Sequence, residues 1–292
     1  MLGIILMLAA MAGRCAEASA PSEAELLKEL NSRLHFQAGE VKLPGNLAKL
    51  SLSQDFHYLS PSDAEFVLTK LWGNPPGSKT LGMIFPSGMS PAGKDTWGIV
   101  ITYSDDGYIK DSDADSINYD KLLAQMQQGV KEANAERSKN GFPTVELVGW
   151  AARPHYDKQT HKMYWAKELR FSDSEHNTLN YNIRVLGRAG VLNLNVVASV
   201  DALSRIEESA PEIVGLVNFT EGNRYADFNK STDKVAAYGL AALVAGGIAA
   251  KAGLFKVILV ALLAAKKFVI IGVIAVIAMF KKLFTGKSRS DA

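Results

Sequence analysis

The residues best suited to chemistry are acids that alternate in a short loop, namely Asp111, Asp113 and Asp115. Alternating carboxylates in a turn can gather around a hard cation such as Ca²⁺. Two positions depart from the calcium-loop pattern, because Ser116 stands where glycine is required and Leu122 stands where a bidentate glutamate belongs. The loop therefore predicts either a calcium site or a solvated acidic turn that stabilises the start of the next helix.

A second candidate lies on a strand whose polar side chains share one face: Asn180, Asn182 and Arg184. Glu168 is expected to lie across the hairpin from them. Such a face can bind a polar ligand, and an antiparallel sheet with one solvated face produces the same alternation. The pattern predicts a ligand-binding face at these four residues, with a plain wet sheet face as the alternative.

Two histidines flank a turn, and a hairpin would bring His155 and His161 close enough to share a zinc ion. No third ligand is evident nearby, so two surface histidines on a turn are the alternative. The sequence contains no nucleophile elbow, phosphate loop, dinucleotide fingerprint or zincin helix. We therefore predict no catalytic residue and no cofactor other than Ca²⁺.

The elements that must position these side chains follow from hydrophobic periodicity and turn residues. Four strands are predicted in meander order: Val145–Trp150, Met163–Phe171, Thr178–Leu186 and Val191–Val200. Helices are predicted over Ser22–Leu34, from Ser60 to Trp72, over Asn118–Lys139 and over Asp201–Leu216, with shorter strands between the first three. Strands and helices without βαβ alternation predict an α+β fold, an antiparallel meander sheet packed with helices.

Charge is segregated along the chain. Residues 21–230 carry 22 Lys/Arg against 27 Asp/Glu, whereas residues 231–292 carry 9 against 2. The acidic body argues against nucleic acid as a partner, because a basic surface is needed to neutralise phosphates. The basic tail fits the anionic cytoplasmic leaflet of a membrane.

The two ends of the chain predict secretion and anchoring. Residues 1–18 read as a signal peptide, with an apolar stretch followed by small residues. Residues 19–230 would then form a periplasmic domain, joined by a short polar linker over Asn218–Thr232 to the apolar end of the chain. We therefore expect a soluble body outside the inner membrane.

The apolar run Val235–Phe280 is 46 residues long, whereas about 20 helical residues cross a hydrocarbon core of about 30 Å. Residues 257–280 are the predicted transmembrane helix, and residues 231–256 an amphipathic or membrane-proximal helix. The basic tail 281–292 is expected to be cytoplasmic. A second span is the alternative. The lysines that mark the membrane segment and its cytoplasmic flank are Lys266, Lys267, Lys281 and Lys282.

Small residues recur every seven positions at Gly239, Gly246 and Gly253. Small residues at such spacing let helices approach closely in lipid, which predicts a self-associating face. The alternative is that the first part of the run lies on the membrane surface while Lys266 and Lys267 extend toward the headgroups.

Several strings together resemble a known bacterial family. They are Asp106-Gly-Tyr-Ile-Lys-Asp-Ser-Asp-Ala-Asp115, Glu146-Leu-Val-Gly-Trp150, Leu179-Asn-Tyr-Asn-Ile-Arg184 with Leu186-Gly-Arg188, and Arg224-Tyr-Ala-Asp-Phe228 running into Thr232-Asp-Lys-Val-Ala-Ala-Tyr-Gly239. The sequence resembles the membrane-anchored proteins grouped as domain of unknown function number 2167, over roughly residues 25–285. The resemblance implies a location in the Gram-negative envelope and implies no catalytic residues.

We therefore expect a single-pass inner-membrane protein with a periplasmic domain that binds a partner protein or ligand. Two alternatives stay open at this point. One is a metal-dependent or hydrolytic enzyme that uses the acidic loop and the Asn180 face. The other is an oligomeric membrane element lined by Lys266.

Overall fold

The computed structural model describes residues 32–246 except residues 73, 75, 78, 94 and 95. Its strands are β1 (Phe36–Gln37), β2 (Glu40–Lys42), β3 (Ala48–Ser51), β4 (Phe56–Leu59), β5 (Thr80–Pro86), β6 (Gly98–Ser104), β7 (Val145–Asp157), β8 (Lys162–Phe171), β9 (Thr178–Leu186), β10 (Val191–Ser199) and β11 (Val217–Phe219). Its helices are α1 (Pro61–Phe66), α2 (Tyr119–Lys139), α3 (Leu203–Leu216) and α4 (Leu240–Ala245).

Eight strands form one antiparallel sheet in the order β1-β4-β5-β6-β10-β9-β8-β7. Strands β7 to β10 follow one another as a meander, because short polar turns join them. The connection from β6 to β7 crosses to the far edge of the sheet and carries α2. A second antiparallel sheet has three strands in the order β11-β3-β2.

Local sequence signals fix the helix ends. The side chain of Asn118 accepts a 2.9 Å hydrogen bond from the backbone N–H of Lys121, which caps α2. The same helix ends before Gly141, whose φ of 73° is readily adopted by glycine. At α1, Ser60 is the N-cap and Pro61 the first helical residue. This helix continues through one π-helical turn at Val67–Leu71.

One face of the large sheet, which we call the α3 face, is covered by α3 and the small sheet. Ile206, Ile213 and Leu216 of α3 belong to the same buried cluster as the alternating residues Leu179, Tyr181, Ile183 and Val185 of β9. Because side chains alternate between the two faces along β9, these four apolar side chains all point to the α3 face and form part of the main core.

The opposite face, which we call the α2 face, is covered in three separate places. Leu59, Met83 and Phe85 pack with α1 in one cluster. Leu147, Leu169 and Phe171 pack with α2 in a second cluster. Met163 and Trp165 pack in a third cluster with Tyr238 and α4. The polar residues of β9 lie on this face, among the three clusters.

The predicted α+β class with a large antiparallel sheet and several helices is confirmed. Within residues 32–246, the described helices are all too short or too polar to cross a bilayer. The predicted transmembrane helix 257–280 and signal peptide 1–18 lie outside the described residues, as does most of the predicted helix Ser22–Leu34.

The expected linker over Asn218–Thr232 is instead part of the folded body. Its first residues belong to β11, which pairs with β3. The backbone of Arg224 forms an isolated antiparallel β-bridge with Gly187, and Tyr225 is buried. The polar composition misled the prediction because these polar groups are engaged in ion pairs and backbone hydrogen bonds rather than in solvation.

Candidate functional site

The polar residues of β9 form a compact group with a lysine of the neighbouring strand. Lys167 of β8 lies directly opposite Asn180, and Trp165 lies opposite Asn182. Arg184 follows two residues further along the same face of β9. We call Lys167, Asn180, Asn182 and Arg184 the sheet patch.

Hydrogen bonds connect the patch along β9. The amide nitrogen of Asn182 donates to the side-chain oxygen of Asn180 at 2.9 Å. The side-chain oxygen of Asn182 in turn accepts a 3.1 Å bond from the Arg184 guanidinium. Asn182 is buried, so its orientation is fixed by these contacts. The structure thus brings three of the four predicted ligand-binding residues into one connected row.

The charges of the patch are held in an unfavourable environment. Arg184 lies over the Trp165 ring, 5.1 Å from its centroid, and donates to the carbonyl oxygen of Ile183 at 2.9 Å. Burial lowers the pKa of Arg184 to about 10. Burial, and then the charge of Arg184, lower the pKa of Lys167 to about 8. Both shifts mean that the charged forms are destabilised where they lie.

Glu168 does not join this group, which corrects the prediction that it lies across the hairpin on the same face. It is opposite Leu179, whose side chain points into the core on the α3 face. Its carboxylate accepts a 2.5 Å hydrogen bond from Asn177. Successive side chains of a strand point to opposite faces of the sheet, so a difference of one residue places Lys167 on the patch and Glu168 on the other face.

The acidic loop does not gather its carboxylates around one point. Asp111 accepts a 2.8 Å hydrogen bond from the Tyr156 hydroxyl. Asp113 accepts bonds of 3.1 Å from the backbone N–H groups of Leu240 and Ala241, at the start of α4. Asp115 pairs with Lys158. Three alternating acids therefore bind three different parts of the fold, and calcium binding stays a prediction.

No group of three or more His, Cys, Asp or Glu side chains in the described part of the chain could hold a metal ion. The two histidines of the predicted zinc pair contact different residues. His155 packs against the Tyr164 ring at 5.1 Å. His161 packs against Tyr225 and lies 3.1 Å from the Tyr156 hydroxyl.

The acidic loop belongs to a larger assembly, which we call the junction: residues 105–118, the turn 187–190 and residues 222–238. Tyr108 pairs with Val235 in a parallel bridge, with backbone bonds of 2.8 Å in both directions. Arg188 forms a two-bonded ion pair with Asp233, at 2.7 and 2.9 Å. Three of the four groups of strings that resemble the known family thus contribute to this assembly.

An aromatic stack holds the middle of the junction. The Tyr108 ring lies between Tyr225, at 4.3 Å, and Phe228, at 3.9 Å between centroids. The Tyr225 hydroxyl donates a buried 2.9 Å hydrogen bond to the carbonyl oxygen of Ile109. Burial raises the pKa of Tyr225 far above its ordinary value, so this hydroxyl stays a donor.

Close approach of the backbone requires glycine in the junction. Gly107 has a φ of 106°, and a Cβ there would lie 2.7 Å from the carbonyl oxygen of Lys234. At Gly239, a Cβ would lie 2.7 Å from the Asp113 carboxylate. These contacts clamp the chain that leads to α4 against the acidic loop.

The predicted glycine face is not a continuous helical stripe within the described residues. Gly239 is the N-cap of α4, and Gly246 ends the same helix with a φ of 118°. Each therefore has a capping role in a six-residue helix. Gly253, Lys266, Lys267, Lys281 and Lys282 lie outside the described residues, so self-association and the membrane roles of the lysines stay predictions.

The sheet patch and the junction meet at Tyr238. Its hydroxyl donates to Asp106 of the acidic loop, and its side chain lies within electrostatic range of Arg184. Tyr238 also packs in the cluster that contains Trp165 and α4. The last turn of the described chain therefore lies beside the patch.

A depression of about 290 Å³ lies between the starts of α2 and α4. Asp113, Asn118 and Lys121 are among the residues that line it, and no member of the sheet patch is. The enzyme alternative requires one pocket that joins the acidic loop to the Asn180 face. This depression does not join them.

Sequence reasoning missed Lys167, although a signal was present. Along β8 the residues Met163, Trp165, Leu169 and Phe171 share the α2 face and are buried. Lys167 occupies the middle of this apolar period. A lysine at an inward position of a strand is costly unless it has a partner, and this is the pattern that could have identified it.

Fold and site together define a mixed α+β protein with a cationic, amide-rich patch on one face of an antiparallel sheet. The sequence matches, over residues 35–277, the family described as "Protein of unknown function (DUF2167)". The chain belongs to this family, as the resemblance of its sequence strings indicated. The match includes the sheet patch, the junction and most of the apolar C-terminal run.

A comparison with curated proteins found no match. Among solved structures, the chain is similar to cyanobacterial PsbP (CyanoP) from Synechocystis sp. PCC 6803, whose structure was determined in solution. The sequence identity is 8%, the TM-score is 0.34, and the alignment covers 64% of this chain and 92% of that protein.

Proposed function

We propose that this protein is a non-enzymatic binding protein of the bacterial envelope, held at the inner membrane by residues 257–280. Its described domain lies in the periplasm, and the sheet patch binds a ligand or a segment of a partner protein. The observation that carries the proposal is the position of the patch, which adjoins the clamped segment that leads to the apolar end of the chain.

The contacts around Tyr238 support a binding role close to the bilayer. Tyr238 lies in one cluster with Trp165 and α4, and its hydroxyl bonds Asp106. Arg188 and Asp233 fix the segment before it. A ligand on the patch would thus lie near the exit of the chain rather than at a distant end of the domain.

The charge distribution supports the orientation. Positive flanks of a span stay cytoplasmic, and Lys281, Lys282, Lys287 and Arg289 follow residue 280. The acidic body carries the opposite sign and would be exported by the signal at residues 1–18. The proposed topology has the domain in the periplasm and the tail in the cytoplasm.

Fractionation and crosslinking test the proposal in two independent parts. The full chain should stay with inner membranes after alkaline carbonate extraction, and a cytoplasm-active reporter at its carboxyl end should be active. Recovery of the chain in the soluble fraction, or an inactive reporter beside an active control fusion, would contradict the anchoring.

The binding role is tested by mild crosslinking in cells, followed by purification of the full chain in detergent. We expect a co-purifying protein or small molecule that is lost from the Arg184→Gln variant and kept by Lys42→Met, an exposed change on β2. Recovery of the bait alone, at equal expression, would argue against binding.

A further inference from the structure

The sheet patch presents positive charge and hydrogen-bond donors without a matching acid. We propose that it binds an anionic group, a carboxylate or a phosphate, between the side chains of Lys167 and Arg184. This inference rests on the proposed binding function and names the chemical class of the ligand.

The donors of the patch outnumber its acceptors. Arg184 donates to the carbonyl oxygens of Ile183 and Leu194 and to the side chain of Asn182, and these acceptors are all uncharged. The ammonium of Lys167 makes no hydrogen bond or ion pair with any described residue. The indole nitrogen of Trp165 is buried and lacks a hydrogen-bond partner among the described residues.

Neither Glu168 nor Asp106 forms an ion pair with the two cations of the patch. Glu168 lies on the opposite face, where Asn177 bonds it. Within the described residues, Asp106 bonds the hydroxyl of Tyr238 and pairs with neither cation. The two cations therefore keep a net charge of +2 on a partly buried surface, which is costly unless a counter-charge is present.

The registration of the strands places the two cations on either side of one point. Lys167 is opposite Asn180, and Arg184 is four residues from Asn180 on the same face. Their Cα atoms are thus about 13 Å apart along the strand direction, at about 3.3 Å per residue. Asn182 and Trp165 are opposite each other at the midpoint and are buried, whereas Lys167 and Arg184 are only partly buried, so the long side chains of the two cations can reach an anion on the surface between them.

The guanidinium of Arg184 and the ammonium of Lys167 would interact with an anionic ligand in different ways. A guanidinium supplies several donors in a plane and suits the two oxygens of a carboxylate or phosphate, whereas an ammonium acts as a point charge. A free metabolite and a lipid headgroup both carry such oxygens. The shared chemistry is the anionic oxygen group, and the experiment separates its two sources.

The test uses the full chain purified in a zwitterionic detergent, titrated with inorganic phosphate, with citrate, or with vesicles. The vesicles contain either phosphatidylcholine alone or phosphatidylcholine with phosphatidylglycerol. Tryptophan emission reports binding, and Trp165→Phe shows whether the change arises at the patch. Thermal unfolding gives an independent measure, since a ligand that binds the folded state stabilises it.

We expect saturable binding of at least one of these anions, weakened about tenfold or more by Lys167→Met and by Arg184→Gln, because each removes a charge-assisted contact. Lys42→Met should bind as the natural chain does, and Lys167→Arg should retain most of the affinity. Circular dichroism and cooperative unfolding confirm that each variant is folded. Response to phosphate or citrate identifies a soluble anion, whereas response to phosphatidylglycerol vesicles alone identifies a headgroup.

Absence of any saturable response overturns the proposal, as does binding that both Lys167→Met and Arg184→Gln leave unchanged. Either result leaves the broader binding function standing if crosslinking still recovers a partner from the natural chain. Failure of the crosslinking experiment together with saturable anion binding would instead reject a protein partner and retain the anion site.

Discussion

The sheet patch and the junction contain similar residue types and use them in opposite ways. In the junction, Arg188 forms an ion pair with Asp233, and the Asp113 carboxylate accepts a hydrogen bond from the backbone at the start of α4. In the patch, the ammonium of Lys167 has no hydrogen-bond or ion-pair partner among the described residues, and the guanidinium of Arg184 donates only to neutral acceptors there. Matched charges such as these hold the fold together, whereas unmatched charges are available for recognition.

This difference predicts that substitutions in the junction destabilise the fold and that substitution of the patch cation stabilises it. The largest effect is expected at Tyr108, whose ring stacks between Tyr225 and Phe228. Tyr108→Ala should lower the free energy of unfolding by about 2–4 kcal/mol, from lost aromatic burial and an unfilled cavity. Chemical denaturation measures it.

Phe36→Ala is the matched control, because Phe36 is 37% exposed on the edge strand β1. Its effect should be within about 0.5 kcal/mol, as for most surface changes. Equal losses from the two substitutions would contradict a structural role for the stack.

Lys167→Met should raise the free energy of unfolding of the ligand-free chain by about 1–3 kcal/mol, because it removes a desolvated charge and keeps the aliphatic length. Arg188→Met should lower it, because Asp233 loses its partner. Chemical denaturation of the two variants side by side measures both changes. A change in the free energy of unfolding with the same sign in both variants would contradict the difference between patch and junction.

The stability gained by Lys167→Met should change with pH in the alkaline range. Burial lowers the pKa of Lys167 to about 8 from 10.5, so the unfolded chain binds more protons between these values and stability rises with pH there. The advantage of Lys167→Met should thus be complete below pH 8 and vanish above about pH 10.5. Thermal unfolding from pH 7 to 11 checks this, and a constant difference would contradict it.

Tyr225→Phe should cost about 1 kcal/mol, since it leaves the buried carbonyl oxygen of Ile109 without its donor. Tyr164→Phe is the matched control, because the Tyr164 hydroxyl makes no hydrogen bond with the described residues. Denaturation curves that coincide for the two variants would argue against the hydrogen bond.

The smallest effect is expected on the acid side, where solvent screens the Arg188–Asp233 pair. The hydrogen bond from Arg188 lowers the pKa of Asp233 well below its ordinary value. Its contribution is therefore present above about pH 4 and is lost as the pH falls through the folded-state pKa. Asp233→Asn should flatten this acid limb, and thermal unfolding of the natural chain and the variant across this pH range measures the change.

Helices and meander strands were predictable because their signals are local. The predicted strand Thr178–Leu186 coincides with β9, and the predicted helix Asn118–Lys139 differs from α2 only in its capping residue. Strand β7 extends to Asp157, beyond the predicted end at Trp150. Its register shifts against β8 interrupt the alternation from which the prediction was made.

The sequence by itself determined the α+β class, the shared face of Asn180, Asn182 and Arg184, and the family, because each depends on spacing within a short stretch. Only the tertiary structure decided that Glu168 lies on the other face, that Lys167 joins the patch and that each loop acid has its own partner. Those outcomes depend on which strand lies beside which, and in what register. Pairings between distant residues are set by the packing of the whole sheet rather than by local periodicity.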